Sequence, residues 1–217
     1  MSMAIEKVDY SHLLGRNYLR DGVGELEMVV TYPFEQTVFF TTEEFEAHRT
    51  RLDTPPTYLR TFIIGTMTAL LDPSLKRLPD KYIDLIETIH EFYEGRDIDS
   101  YSCFRRERYG AIGITSEYAT VLDRLALDTC HFLTVLPGAS NSPGTWKEIA
   151  YATKRGIDLV GLFRENDPEM EFRQRIMEAT AVHGGKSHLT WITFMGESDL
   201  IPQLEVVSFG LAGRIAQ

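Results

Sequence analysis

His131 to Ala152 read HFLTVLPGASNSPGTWKEIAYA. The opening six residues form an apolar run of strand length, predicted as a buried strand over His131–Leu136. A Gly/Ser/Pro-rich loop follows. Ser142 is a good N-cap and Pro143 suits the first helical position, which predicts a helix over Pro143–Arg155. A buried strand that passes through a short loop into a helix is the unit from which parallel sheets are built.

The same alternation extends outward. Apolar runs at Thr61–Ile64, Tyr101–Phe104, Ile157–Phe163 and His188–Phe194 predict four more strands. Tyr82, Ile86, Ile89 and Tyr93 lie on one face of a predicted helix, and Tyr118, Val121, Leu122 and Leu125 on one face of another. Further helices are predicted over Pro168–Ala181 and Ser198–Ala216. The predicted fold is α/β: a doubly wound, mostly parallel five-stranded sheet of Rossmann or flavodoxin type. Ligands in such sheets bind beyond the carboxyl ends of the strands, which directs attention to the loops after Ile64, Phe104 and Leu136. Asp53-Thr54-Pro55-Pro56 reads as a linker. It separates a catalytic domain over residues 57–217 from an N-terminal extension over residues 1–56. The extension shows two strands, Glu25–Thr31 and Glu35–Thr41, and a capped helix start at Thr41–Phe45. A hairpin and one helix are too little to fold alone, so the extension is expected to pack on the main body or a second subunit.

Composition bounds the function. The chain has 217 residues, of which 43% are hydrophobic and 25% charged, as in a globular protein. Its net charge of −10 disfavours nucleic acid and anionic membranes as partners, while still allowing a small anionic ligand. Two cysteines, Cys103 and Cys130, make neither a disulfide framework nor a zinc motif. No cofactor and no metal are expected. No apolar run approaches the length of a membrane span, and residues 1–10 lack a signal-peptide core, so a cytoplasmic location is the expectation.

Three segments carry candidate chemistry. At the start of the Pro143 helix, the amides of Gly144 and Thr145 are expected as unpaired donors at a positive helix end, a site for an anion; an ordinary capped helix start has the same sequence. Gly144 permits close approach of a ligand. Glu148 lies one turn on, on the face of Gly144, where the helix dipole favours an ionised carboxylate fit for nucleophilic attack; an exposed helix glutamate is the plainer reading. In the helix Glu117–Cys130, Arg124 and Asp128 form an i,i+4 pair on the predicted solvated face. Asp123 instead projects with Ala119, Ala126, Leu127 and Cys130, a second apolar side, where a carboxylate needs partners. That second side suggests a subunit interface and hence a homodimer. Finally, Arg105, Arg106, Glu107 and Tyr109 follow the second strand of the sheet. The arginines suit an anion and the tyrosine a stacked base, although a solvated charged loop has the same composition.

The order of these motifs resembles the nucleoside 2-deoxyribosyltransferase-like superfamily. The resemblance runs from about Phe62 to Phe163 and is most specific at Ser142-Pro143-Gly144-Thr145 with Glu148 and Ile149, and at Arg105-Arg106-Glu107 with Tyr109-Gly110. Leu71-Asp72-Pro73 also fits. Within the superfamily the chain is most similar to the CMP and hydroxymethyl-CMP hydrolases of nucleoside-antibiotic pathways, such as those to mildiomycin and bacimethrin. The resemblance implies that Glu148 is the nucleophile, forming a ribosyl-enzyme intermediate that water hydrolyses. It implies that Asp123 assists, that Ser142 and Gly144 hold a 5′-phosphate, and that the arginines line a nucleotide pocket. Gly65, Thr66 and Met67 stand where the superfamily places a Gly-Pro-Phe-like substrate loop. Phe104 stands where the nearest relatives have histidine, His131 replaces an aspartate, and Trp146 is bulky for the phosphate side. The transferases usually carry an acidic residue near Ser142; here Asn141 precedes it, which favours a hydrolase. The expected function is an N-glycosidase acting on a pyrimidine nucleoside 5′-monophosphate. A nucleoside 2-deoxyribosyltransferase and a non-catalytic nucleotide sensor are the alternatives.

Overall fold

A computed structural model describes residues 27–31, 37–41, 59–67, 70, 78–106, 123–124, 126–166 and 170–215. In the extension, β1 (Glu27–Thr31) and β2 (Thr37–Thr41) pair antiparallel, with Glu27 opposite Thr41 and Thr31 opposite Thr37. The predicted helix start at Thr41–Phe45 and the linker at Asp53–Pro56 lie outside the described residues.

The main body runs β3 (Arg60–Ile64), α1 (Asp80–Glu94), β4 (Asp99–Ser102), α2 (Cys103–Arg106), β5 (Phe132–Val135), α3 (Pro143–Arg155), β6 (Asp158–Arg164), α4 (Met170–Val182), β7 (Leu189–Phe194) and α5 (Glu197–Ile215). The residues 123, 124 and 126–129 are also helical and form the end of a helix that leads into β5. The five strands β3 to β7 are parallel, in the order β4-β3-β5-β6-β7. The predicted doubly wound α/β fold is therefore the observed one.

Alternating residues of each strand feed two cores, as the strand period of two requires. On one face Phe62, Ile64, Leu133 and Val135 meet Ala126, Leu127 and Cys130 of the pre-β5 helix, Ile149 and Ala152 of α3, and Phe172 and Ile176 of α4. On the other, Ile63, Phe132, Val160 and Ile192 meet Ile86, Ile89 and Tyr93 of α1 and Leu200 and Leu204 of α5. The predicted stripe Tyr82, Ile86, Ile89 and Tyr93 is buried throughout. The stripe Tyr118, Val121, Leu122 and Leu125 lies outside the described residues.

Two expectations are corrected. The second strand of the sheet is Asp99–Ser102, not Tyr101–Phe104; Cys103 and Phe104 open the short helix α2. Ser102 is the physical reason. Its hydroxyl accepts the Arg105 amide at 3.3 Å, which caps a helical turn where an apolar run alone reads as strand. The second correction concerns Ala126, Leu127 and Cys130. They do not form a free side awaiting another subunit, because the chain's own sheet buries them, leaving 1%, 3% and 9% exposed. Small residues let the helix settle close to the sheet. Burial also pushes the Cys130 thiol up to about 12.

Candidate active site

From β3 the chain moves outward to β4 and then crosses back to β5, so the strand order reverses between β3 and β5. A switch point of this kind is where parallel sheets of this type carry a ligand crevice. Here its sides would be residues 65–67 after β3 and residues 136–142 after β5.

The crevice is tied together by side chains that sequence reading had assigned to the ligand. Thr66, 1% exposed, donates through Oγ1 to the Gly138 carbonyl at 2.7 Å. Gly138 has φ +79°, a left-handed conformation that glycine adopts without strain. Thr145, the third residue of α3, is 2% exposed and donates through Oγ1 to the Gly65 carbonyl at 2.9 Å. Gly65 itself is hemmed in by protein. A Cβ there would stand 3.0 Å from Leu136 Cβ and 3.0 Å from the Tyr82 hydroxyl, so the glycine is needed for packing. Tyr82 in turn donates to the Pro137 carbonyl at 3.1 Å. Met67 packs against the α1-side core.

The start of α3 is capped as predicted. Ser142 Oγ accepts the Thr145 amide at 3.2 Å, and Pro143 occupies the first turn. One detail differs from expectation: the Thr145 amide is already bonded to Ser142 and is not an unpaired donor. Gly144 keeps the open approach that was expected, since a Cβ on it would meet only Ser142 Oγ at 3.7 Å. The Gly144 amide belongs to the first helical turn, where the helix itself supplies no acceptor. Ser142 and Gly144 thus stand at a positive helix end, and among the described residues only Ser142 comes near the place a side chain on Gly144 would take. Trp146 does not approach it. It turns to the α4 flank, against Phe172 with ring centroids 6.1 Å apart, under the Arg175 guanidinium at 4.4 Å.

Glu148 and Asp123 are each partly buried. Their placement follows from helix geometry. In a parallel sheet the helices run antiparallel to the strands, so the pre-β5 helix and α3 run side by side in the same direction, away from the strands' carboxyl ends. Tyr151 of α3 donates to Asp128 Oδ1 of the pre-β5 helix at 2.6 Å, which fixes their relative height. Asp123 lies five residues before Asp128, about 7.5 Å up the axis, and Glu148 three residues before Tyr151, about 4.5 Å up. Both carboxylates therefore stand toward the carboxyl ends of β3 and β5. Asp123 shares the sheet-facing stripe of Ala126, Leu127 and Cys130. Glu148 lies at the border of the buried stripe Thr145, Ile149 and Ala152, on the Tyr151 side and opposite Trp146.

Arg105 is committed elsewhere. Its Nε and Nη2 donate to the two oxygens of Glu87 at 2.9 and 2.8 Å, and Nη1 donates to Glu94. Burial alone lowers its pKa, but bonds and attraction from Glu87 and Glu94 outweigh it and hold the guanidinium charged. In this structure Arg105 clamps α2 onto α1. Arg106 is described in its backbone only, and Glu107 and Tyr109 lie outside the described residues. The Tyr82 bond to the Pro137 carbonyl and the Tyr151–Asp128 pair between the helices are features that sequence reading did not single out. Tyr82 appeared only as core stripe, and a tyrosine–aspartate pair 23 residues apart leaves no periodic signal.

Among the described residues no group of three His, Cys, Asp or Glu is placed to hold a metal ion, and no helix is long and apolar enough to cross a membrane.

No protein-family model matches the chain, and no curated protein matches it. Solved structures do. The chain is similar to a CMP N-glycosidase of Clostridium botulinum, BcmB, with a TM-score of 0.50 and 20% identity over 68% of this chain and 98% of that one. It is also similar to the solution structure of BlsM, with a TM-score of 0.58 and 22% identity over 74% of this chain and 95% of that one. At this identity the likeness shows a shared fold. That fold is the one the sequence resemblance implied.

Proposed function

We propose that this chain is an N-glycosidase that hydrolyses the base–ribose bond of a pyrimidine nucleoside 5′-monophosphate such as CMP. The observation that carries the reading is the switch point between β3 and β5. Asp123 and Glu148 lie toward the carboxyl ends of those strands, and at the head of α3 only Ser142, among the described residues, approaches the place a side chain on Gly144 would take. Paired carboxylates suit glycosidic cleavage with a covalent intermediate. The Glu148 carboxylate attacks C1′ as the C–N bond breaks, and the bonding pair leaves with the base. Asp123 supplies a proton or hydrogen bond to the departing base, directly or through water. Water then attacks C1′, Glu148 is released, and the products are free base and ribose 5-phosphate. The resemblance in sequence and the shared fold with a protein named as a CMP N-glycosidase support this reading.

The test is a panel of nucleotides and nucleosides with base release read by chromatography. CMP or a close analogue is expected to be turned over. The monophosphate is expected to exceed cytidine in kcat/KM by roughly a hundredfold, as the loss of two charge-assisted hydrogen bonds implies. In Ser142→Ala that preference narrows. Equal efficiency on cytidine and CMP overturns the phosphate site, and formation of a new nucleoside from an added base overturns hydrolysis in favour of transfer.

A further inference from the structure

The helices that carry Asp123 and Glu148 touch through one polar cluster. Tyr151 Oη donates to Asp128 Oδ1 at 2.6 Å, and the Arg155 guanidinium lies 3.6 Å from the same oxygen. Arg124 lies over the Tyr151 ring, 5.1 Å from its centroid. Asp128 is well covered, with its side chain 11% exposed. The sequence places Arg124 and Asp128 on a solvated stripe; Arg124 is exposed as expected, whereas Asp128 faces α3 and is covered. The Tyr151–Asp128 bond stands about 4.5 Å down α3 from Glu148 and about 7.5 Å down the pre-β5 helix from Asp123. Glu148, Tyr151 and Arg155 recur at i, i+3 and i+7 on α3, and Arg124 directly follows Asp123.

We infer that Tyr151 and Asp128 are positioning residues, a brace between two helices that sets how Glu148 stands relative to Asp123. The inference rests on the N-glycosidase reading. Apolar contacts hold these helices to the sheet, and such contacts are tolerant of small slides. A short directional bond between a phenol and a largely buried carboxylate is not. It fixes the height and rotation of α3 against its neighbour. Burial and the Asp128 carboxylate raise the Tyr151 pKa, so the phenol remains a donor across the working range. Displacement of a nucleophile by a fraction of its reach is costly to turnover and nearly invisible to substrate binding, because the phosphate is held at the other end of the site.

The experiment compares wild type, Tyr151→Phe, Asp128→Ala and the double variant on CMP, with kcat and KM measured separately and the urea midpoint taken for each. Tyr151→Phe deletes one oxygen and keeps the ring, so it carries the test even where Asp128→Ala folds poorly. The brace predicts that kcat in Tyr151→Phe falls roughly ten- to a hundredfold with KM nearly unchanged, and that the double variant is no slower than the slower single one. A Tyr151→Phe enzyme with wild-type kcat overturns the brace alone, and so do losses in kcat that multiply in the double variant. A wild-type enzyme that releases no base from any nucleotide overturns the N-glycosidase reading and the brace with it.

Discussion

Glu148 illustrates how little a single residue reveals without its surroundings. By itself it is a partly buried helix glutamate. Set beside the capped helix start at Ser142 and Gly144, it is the carboxylate we propose as the nucleophile. Glu148→Ala is expected to cut base release by several orders of magnitude, since no other group replaces a lost nucleophile. Stability should fall by about 1 kcal/mol or less, because the side chain is not part of either core. Loss of turnover with an unchanged urea midpoint agrees with the assignment, and retained turnover in the folded variant removes it. His131 makes a different residue-scale prediction. Its Nδ1 accepts the Arg60 amide at 3.0 Å, and burial first, then the Arg60 charge, lowers its pKa below the ordinary value. The unfolded chain therefore binds a proton near pH 6.5 that the native ring resists. Stability is whole above that pH and declines as pH falls through it, levelling off below the folded pKa. Urea midpoints at pH 7.5 and 5.5 should differ more in wild type than in His131→Asn, whose amide oxygen can accept the same bond. Equal differences would assign the effect to other groups.

Among the elements, the pre-β5 helix shows why periodicity alone is ambiguous. It carries two apolar stripes, and the one made of small residues faces the sheet. Asp123 shares that stripe, which explains why a carboxylate there is partly covered and why it stands at the strand ends. The same correction sets the expected outcome of a charge at Ala126. Ala126→Asp buries an uncompensated carboxylate at a site 1% exposed, which costs about 3–5 kcal/mol. That is a large share of the stability of a domain of this size. A marked drop in the urea midpoint, with no specific change in subunit association, is the expected result. A fully stable but dissociated variant would restore the interface reading.

Across the whole molecule, the parallel order β4-β3-β5-β6-β7 brings the carboxyl ends of all five strands to one end of the sheet, where we propose the chemistry lies. Residues 65–67 and the continuous stretch from residue 136 into α3 come from distant parts of the chain. They meet because β3 and β5 are neighbours, with Phe62 opposite Leu133 and Ile64 opposite Val135. The homodimer proposal now stands on the sequence resemblance alone, since the face that motivated it is internal. Large apolar side chains left exposed lie elsewhere, Val206 and Phe209 on α5 among them.

The sequence by itself determined the layering of this protein. Short continuous apolar runs separated by period-3.6 stripes point to a parallel sheet wrapped by helices, and Ser142-Pro143 marks the start of α3 at the residue where the helix begins. Only the tertiary structure decided which side of the pre-β5 helix meets the sheet. It alone showed that Thr66 and Thr145 spend their hydroxyls on loop carbonyls, that Arg105 is paired with Glu87 and Glu94, and that Tyr151 reaches Asp128. The reason is range. Periodicity and capping are set by neighbours a few residues apart, whereas a hydroxyl or guanidinium takes whichever partner the packing of distant segments brings within about 3 Å.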